Sequence, residues 1–132
     1  MKLNKELKIY IAIGIGGMLG AVGRYSISTL WAGGYGFPYA TLTANLIGCF
    51  LLSFLLNHNA IKKKLSPIIF ASLSIGIIGA FTTFSTFAVE TVELWSTSAF
   101  IAISYILISI AGGLTCCYGG YKFALNKKKV IQ

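Results

Sequence analysis

At 132 residues, 56% hydrophobic and only 11% charged, the chain is too apolar for a water-soluble domain of its size. Its mean hydropathy of +0.80 points to lipid as its solvent. The formal net charge of +8 would suggest nucleic acid in a soluble protein, but here the lysines lie between and outside long apolar runs, so a nucleic-acid partner is excluded in favour of a membrane surface.

Four runs, at 7–30, 38–56, 66–94 and 98–125, can each cross a hydrocarbon core of about 30 Å as a helix of about 20 residues. The fold class is therefore an all-α membrane protein with one four-helix transmembrane domain over 1–132, and no length remains for a separate soluble domain. Lys2, Lys5 and Lys8 before the first run imitate a secretory signal. Three further spans, and Gly14, Gly16, Gly17, Gly20 and Gly23 spread through the run, favour a packed helix in which small residues let backbones approach. WAGGYGF (31–37), NHNAIKKK (57–64) and the polar residues around Ser96 and Thr97 read as connections.

In the second span Asn45 lies about one turn from Thr41 and from Gly48. An amide in hydrocarbon needs a partner, so Asn45 is either interhelical glue or part of a wet path. The third span is longer than a straight crossing requires, and its centre reads GAFTTFSTF at 79–87, with Gly76 just before it. Two structures suit it. One is a helix broken near its centre, whose freed backbone groups face protein or a water-filled cavity; the other is a kinked helix whose hydroxyls bond back to their own carbonyls. Phe81, Phe84 and Phe87 recur every third position, which places Phe84 and Phe87 on neighbouring parts of one face. Such a stripe either packs a core or, because a phenyl edge is positive, lines a path for a small anion without fixed charge.

Cys49, Cys116 and Cys117 fall inside predicted helices with no disulfide or zinc spacing. Asp is absent, His58 is the one histidine and sits in a connection, and Glu6, Glu90 and Glu93 are placed near chain or span ends. No acid–base pair or nucleophilic triad can be assembled, so an enzyme is excluded, and a proton-coupled carrier lacks its expected mid-span carboxylate. Four spans put both termini and the central connection on one face, with Lys2, Lys5, Lys8, Lys62, Lys63, Lys64, Lys122, Lys127, Lys128 and Lys129 against Arg24 at the other. The termini are thus expected in the cytoplasm, the lysines anchoring beside anionic lipid.

GGMLGAVGRY (16–25), TLTANLIGCF (41–50) and GAFTTFSTFAVE (79–90), in this order on four short spans, resemble the Fluc fluoride-channel family, also called CrcB. The resemblance covers essentially the whole chain. It implies an antiparallel dimer in a bacterial plasma membrane, passing fluoride passively out of the cytoplasm by two pores and so reducing its toxicity, with a structural sodium ion on the two-fold axis. It further implies that backbone carbonyls of Gly79 and Thr82 hold sodium, that Phe84 and Phe87 present ring edges to fluoride, and that Asn45 donates its amide beside them. Ser85 and Thr86 are similar to the family's hydroxyls around the break, and Tyr105 and Ser109 to those beginning its polar track. After Ser109 this chain departs from the pattern with Gly112 and Gly113, leaving Thr115 as the substitute hydroxyl. Arg24 matches the arginine closing the first motif, as a pore-mouth residue or a snorkelling anchor.

The strong lysine bias should fix the orientation of this chain, which predicts an antiparallel pair with a homologous subunit inserted the other way. The alternatives are a small four-helix multidrug exporter, which needs a membrane-embedded carboxylate that the first helix lacks beyond Glu6, and a non-conducting membrane subunit whose hydroxyls and rings only pack helices.

Overall fold

The computed structural model of the chain describes residues 4–31 and 36–126. Lys2, Lys127, Lys128, Lys129 and most of the 31–37 connection lie outside the described residues. In chain order the elements are α1 Lys5–Leu30, α2 Tyr39–Asn57, α3 Asn59–Lys64, α4 Pro67–Ala71, a π-helical segment Ser72–Ile78, α5 Gly79–Phe81, α6 Phe84–Thr97 and α7 Ala99–Asn126. Every regular element among the described residues is helical, and four stretches, Lys5–Leu30, Tyr39–Asn57, Pro67–Thr97 and Ala99–Asn126, are long and apolar enough to cross a membrane.

Local chemistry sets these boundaries. The third span begins where the Ser66 hydroxyl accepts the Ile69 N–H at 3.3 Å, with Pro67 in the first turn, where its missing N–H costs nothing. The expected connection at Ser96 and Thr97 is instead helical, because both hydroxyls donate to the Glu93 carbonyl, at 2.7 and 3.3 Å, and need no partner outside the helix. Ser98 alone, extended at φ −159° and ψ 113°, separates α6 from α7. The 57–64 connection also folds. His58 Nδ1 accepts the Ile61 N–H at 3.3 Å and caps the short helix α3, which carries Lys62, Lys63 and Lys64.

Two seams hold the spans together, α1 against the π segment and α2 against α7. In the first, backbones touch. A Cβ at Gly76 would lie 2.7 Å from the Ile13 carbonyl oxygen and 3.0 Å from Gly16 Cα, and one at Gly20 would collide with the Ile77 carbonyl. The Ser72 hydroxyl crosses this seam to the Ala12 carbonyl at 2.6 Å. Gly14, by contrast, has nothing near its missing side chain and is not part of the contact. In the second seam Gly120 approaches the Phe50 carbonyl, and the Ser53 hydroxyl donates to the Cys117 carbonyl at 2.6 Å. The interior is thin, with Tyr105 the single large side chain that is wholly buried among the described residues. The remaining apolar surface points outward, as befits a protein whose solvent is hydrocarbon.

Candidate functional site

The third span breaks at Thr82 and Thr83. Their dihedrals, φ −84°, ψ 159° and φ −151°, ψ 128°, are extended, and helix resumes at Phe84. Of the two structures open to GAFTTFSTF, the broken helix is the one observed. Only Thr82 among its hydroxyls bonds back in the manner of a kinked helix, donating to the Ile78 carbonyl at 3.1 Å.

At such a break each backbone group must find a partner. The Thr82 N–H keeps its helical bond to the Ile78 carbonyl at 3.0 Å. The Thr83 N–H does not continue the ladder to Gly79 but donates to Asn45 Oδ1 at 2.8 Å, and Asn45 Nδ2 donates to the Thr83 carbonyl at 2.9 Å. One side-chain amide from α2 thus replaces a peptide partner on both sides of Thr83. Gly48, one turn along α2 and buried, makes room, since a Cβ there would collide with Thr82 Cγ2. The Thr83 hydroxyl then starts α6 by accepting the Thr86 N–H at 3.2 Å, while donating to Thr86 Oγ1 at 3.0 Å. As a result the carbonyls of Gly79 and Thr82 both lose the N–H that an unbroken α-helix would supply. Gly79 keeps a long contact from the Thr82 hydroxyl, at 3.4 Å.

Beside the break lies an open cavity of about 620 Å³ whose wall includes Asn45, Thr82, Phe84, Phe87 and Ser109. The Phe84 and Phe87 rings are tilted by 42° with centroids 6.0 Å apart, and Phe84 is 80% exposed. Ser109 lines this cavity, and its hydroxyl oxygen is buried without a protein partner, a group still owed a hydrogen bond. A second cavity, about 350 Å³, meets the break from the other side and is lined by Arg24, Thr41, Thr83, Thr86 and Glu90. Five of the residues singled out from sequence, Asn45, Thr82, Phe84, Phe87 and Ser109, therefore share one space, and Arg24 and Thr86 share the neighbouring one. Ser85 is exposed beside the Thr83 hydroxyl, 3.3 Å away.

Tyr105 stands between these groups. Its ring lies 5.0 Å from that of Phe87, and its hydroxyl donates to Glu90 Oε2 at 2.8 Å. Thr41 donates to the other carboxylate oxygen at 2.7 Å. Glu90, expected near a span end, is in addition a half-buried carboxylate held between α2, α6 and α7. Sequence reasoning missed this trio, although Glu90 follows Thr83 by two helical turns and Thr41 precedes Asn45 by one. Thr115, the expected substitute in the polar track, is exposed and bonded to its own helix at the Ala111 carbonyl, 2.7 Å away. Gly112 is packed by Leu46, 3.0 Å from where a Cβ would stand, so no hydroxyl fits there without displacing that leucine.

An all-helical chain with four spans long and apolar enough to cross a membrane, and polar groups gathered around a break in the third, is of the multi-pass membrane class. The chain is a member of the CrcB family, whose model, described as "CrcB-like protein, Camphor Resistance (CrcB)", matches residues 11–121. It is 47% identical over 116 residues to "Fluoride-specific ion channel FluC 2" of Listeria innocua, covering 87% of this chain and 89% of that protein. It is 46% identical over 139 residues to "Fluoride-specific ion channel FluC 1" of Bacillus cereus, with 98% and 95% covered. A FluC 1 channel of Desulfitobacterium hafniense is 42% identical over 113 residues, with 85% and 99% covered.

Proposed function

We propose that this chain forms a passive fluoride-selective channel that lets the anion leave the cytoplasm and so limits its toxicity. The observation that carries this reading is the cavity lined by Asn45, Phe84, Phe87 and Ser109, the last with a hydroxyl that has no protein partner. All are weak or neutral ligands. An amide N–H, an O–H and aromatic edges replace part of an anion's hydration without holding it as a lysine would, which is what conduction requires. Hydrogen fluoride crosses lipid uncharged and dissociates inside, and a negative-inside potential of 100 mV then drives each anion outward by about 2.3 kcal/mol. No coupling chemistry is needed. The Glu90 carboxylate, with one oxygen held by Thr41 and the other by Tyr105, is ill placed to trade protons for a drug cation, which favours the channel over a small exporter.

The Gly79 and Thr82 carbonyls, deprived of their helical N–H donors, fit a structural sodium ion as hard oxygen ligands. When bound, such an ion supplies the positive charge that these carbonyls face. An antiparallel partner covers the exposed Phe84 and adds a second pair of carbonyls. Because ten of the eleven basic residues are lysines expected on one face, that partner is a homologous subunit of opposite orientation.

Reconstitution into potassium-loaded liposomes with a fluoride electrode tests the reading. Fluoride efflux without chloride efflux is expected from this chain together with a homologous partner, and Phe84→Ile should abolish it while leaving assembly intact. Vesicles that release no fluoride with any homologous partner would overturn the channel. Full-rate efflux from this chain alone would overturn the heterodimer only.

A further inference from the structure

We infer that Asn45 is a positioning residue for the cation site, as well as a wall of the anion cavity. By taking the Thr83 N–H it releases the Gly79 carbonyl from the helix. The inference rests on the sodium reading above. In an unbroken helix the N–H of residue 83 would close on the carbonyl of residue 79. Here that N–H lies 2.8 Å from Asn45 Oδ1, and the same planar amide holds the Thr83 carbonyl at 2.9 Å. Two bonds from one rigid group fix the Thr83 peptide from both sides, so the peptide cannot swing back to Gly79. The Thr82 carbonyl is released differently, within its own segment, through the Thr83 hydroxyl that accepts the Thr86 N–H. One proposed ligand is thus freed by α2 and the other by α6. A substitution on α2 therefore reaches a cation site made of third-span backbone, and the two ions share one side chain.

The two halves of the amide separate the roles. Asn45→Asp keeps an oxygen to accept the Thr83 N–H but loses the Nδ2 donor, and with it the bond to the Thr83 carbonyl. Asn45→Ala loses both. The full chain, purified with its partner subunit, is titrated with sodium against N-methylglucamine, and its thermal midpoint is followed. The wild type should be stabilised saturably, and Thr115→Val, whose hydroxyl is closed on its own helix, should match it. Asn45→Ala should need about tenfold more sodium or stop responding, whereas Asn45→Asp, which keeps the acceptor for the Thr83 N–H, should still respond, with a midpoint between those of wild type and Asn45→Ala, yet pass no fluoride. A folded Asn45→Ala with the wild-type sodium midpoint overturns the inference while sparing the sodium site. A wild type indifferent to sodium removes the sodium site and this inference together. Should Asn45→Ala not fold, Asn45→Asp decides, because a folded Asn45→Asp without a sodium response is equally fatal. One readout needs no variant. In isotope-labelled wild type the Asn45 side-chain amide resonance should move when sodium is withdrawn, and an unmoved resonance contradicts the coupling.

Discussion

The seam between α1 and the π segment and the junction between α2 and the break lie on the same span and solve opposite problems. In the first, side chains are removed so that backbones touch: Gly16, Gly20 and Gly76 leave the Ile13, Ser72 and Ile77 backbone at contact distance. In the second a side chain is inserted, and the Asn45 amide stands in for the peptide groups that the break leaves without partners. The first relies on van der Waals packing, which lipid does not compete for by hydrogen bonding; the second relies on polar bonds that hydrocarbon cannot replace. Rigidity comes from the glycine seam. Around the break most polar groups are satisfied, whereas the Ser109 hydroxyl on α7 has no protein partner.

The contrast can be broken hardest at Gly20. A leucine there meets the Ile77 backbone, which cannot move aside as a side chain would, so Gly20→Leu should cost at least about 3 kcal/mol and leave little monodisperse protein. Gel filtration of the purified variant measures this, and a well-behaved Gly20→Leu would mean that the seam is looser than described. At the junction, Thr83→Val removes the hydroxyl that caps α6 and should cost about 1 kcal/mol, read as a lower thermal midpoint, with fluoride efflux falling as well. Ser109→Ala sharpens the difference between holding a fold and serving a ligand. Removing a buried hydroxyl without a protein partner should be neutral or stabilising by about 1 kcal/mol, while efflux drops. An unchanged efflux rate would place the conducting route elsewhere. Thr115→Val should do least, shifting stability by less than about 0.5 kcal/mol and leaving efflux alone, because its hydroxyl is closed on its own helix.

Much of the candidate site was legible because its residue types are anomalous in hydrocarbon. Asn45, the hydroxyls of 82–86 and the spacing of Phe84 and Phe87 stand out against an aliphatic background, and the structure brings Asn45, Phe84, Phe87 and Ser109 to one cavity. Glu90 was read only as a charge near a span end because its partners, Thr41 and Tyr105, come from two other helices. The π segment was not legible either. Its register follows from the close approach of α1, and nothing in SLSIGII by itself distinguishes a wider helix from an ordinary one. The surroundings of Thr115 were not legible, because a hydroxyl at the right distance along α7 says nothing about which way it faces, and here it is exposed and closed on the Ala111 carbonyl.

Hydropathy, composition and the positions of the polar residues determined by themselves that this is a four-span helical membrane protein whose third span is either broken or kinked near its centre. That follows because every backbone group in lipid needs a partner and each span must be long enough to cross. Which carbonyls the interruption sets free, that Asn45 takes the Thr83 N–H, and that Glu90 stands between Thr41 and Tyr105 were decided only by tertiary structure. Hydrogen bonds between helices depend on rotation and approach angle, and those are set jointly by neighbouring spans rather than by any one of them.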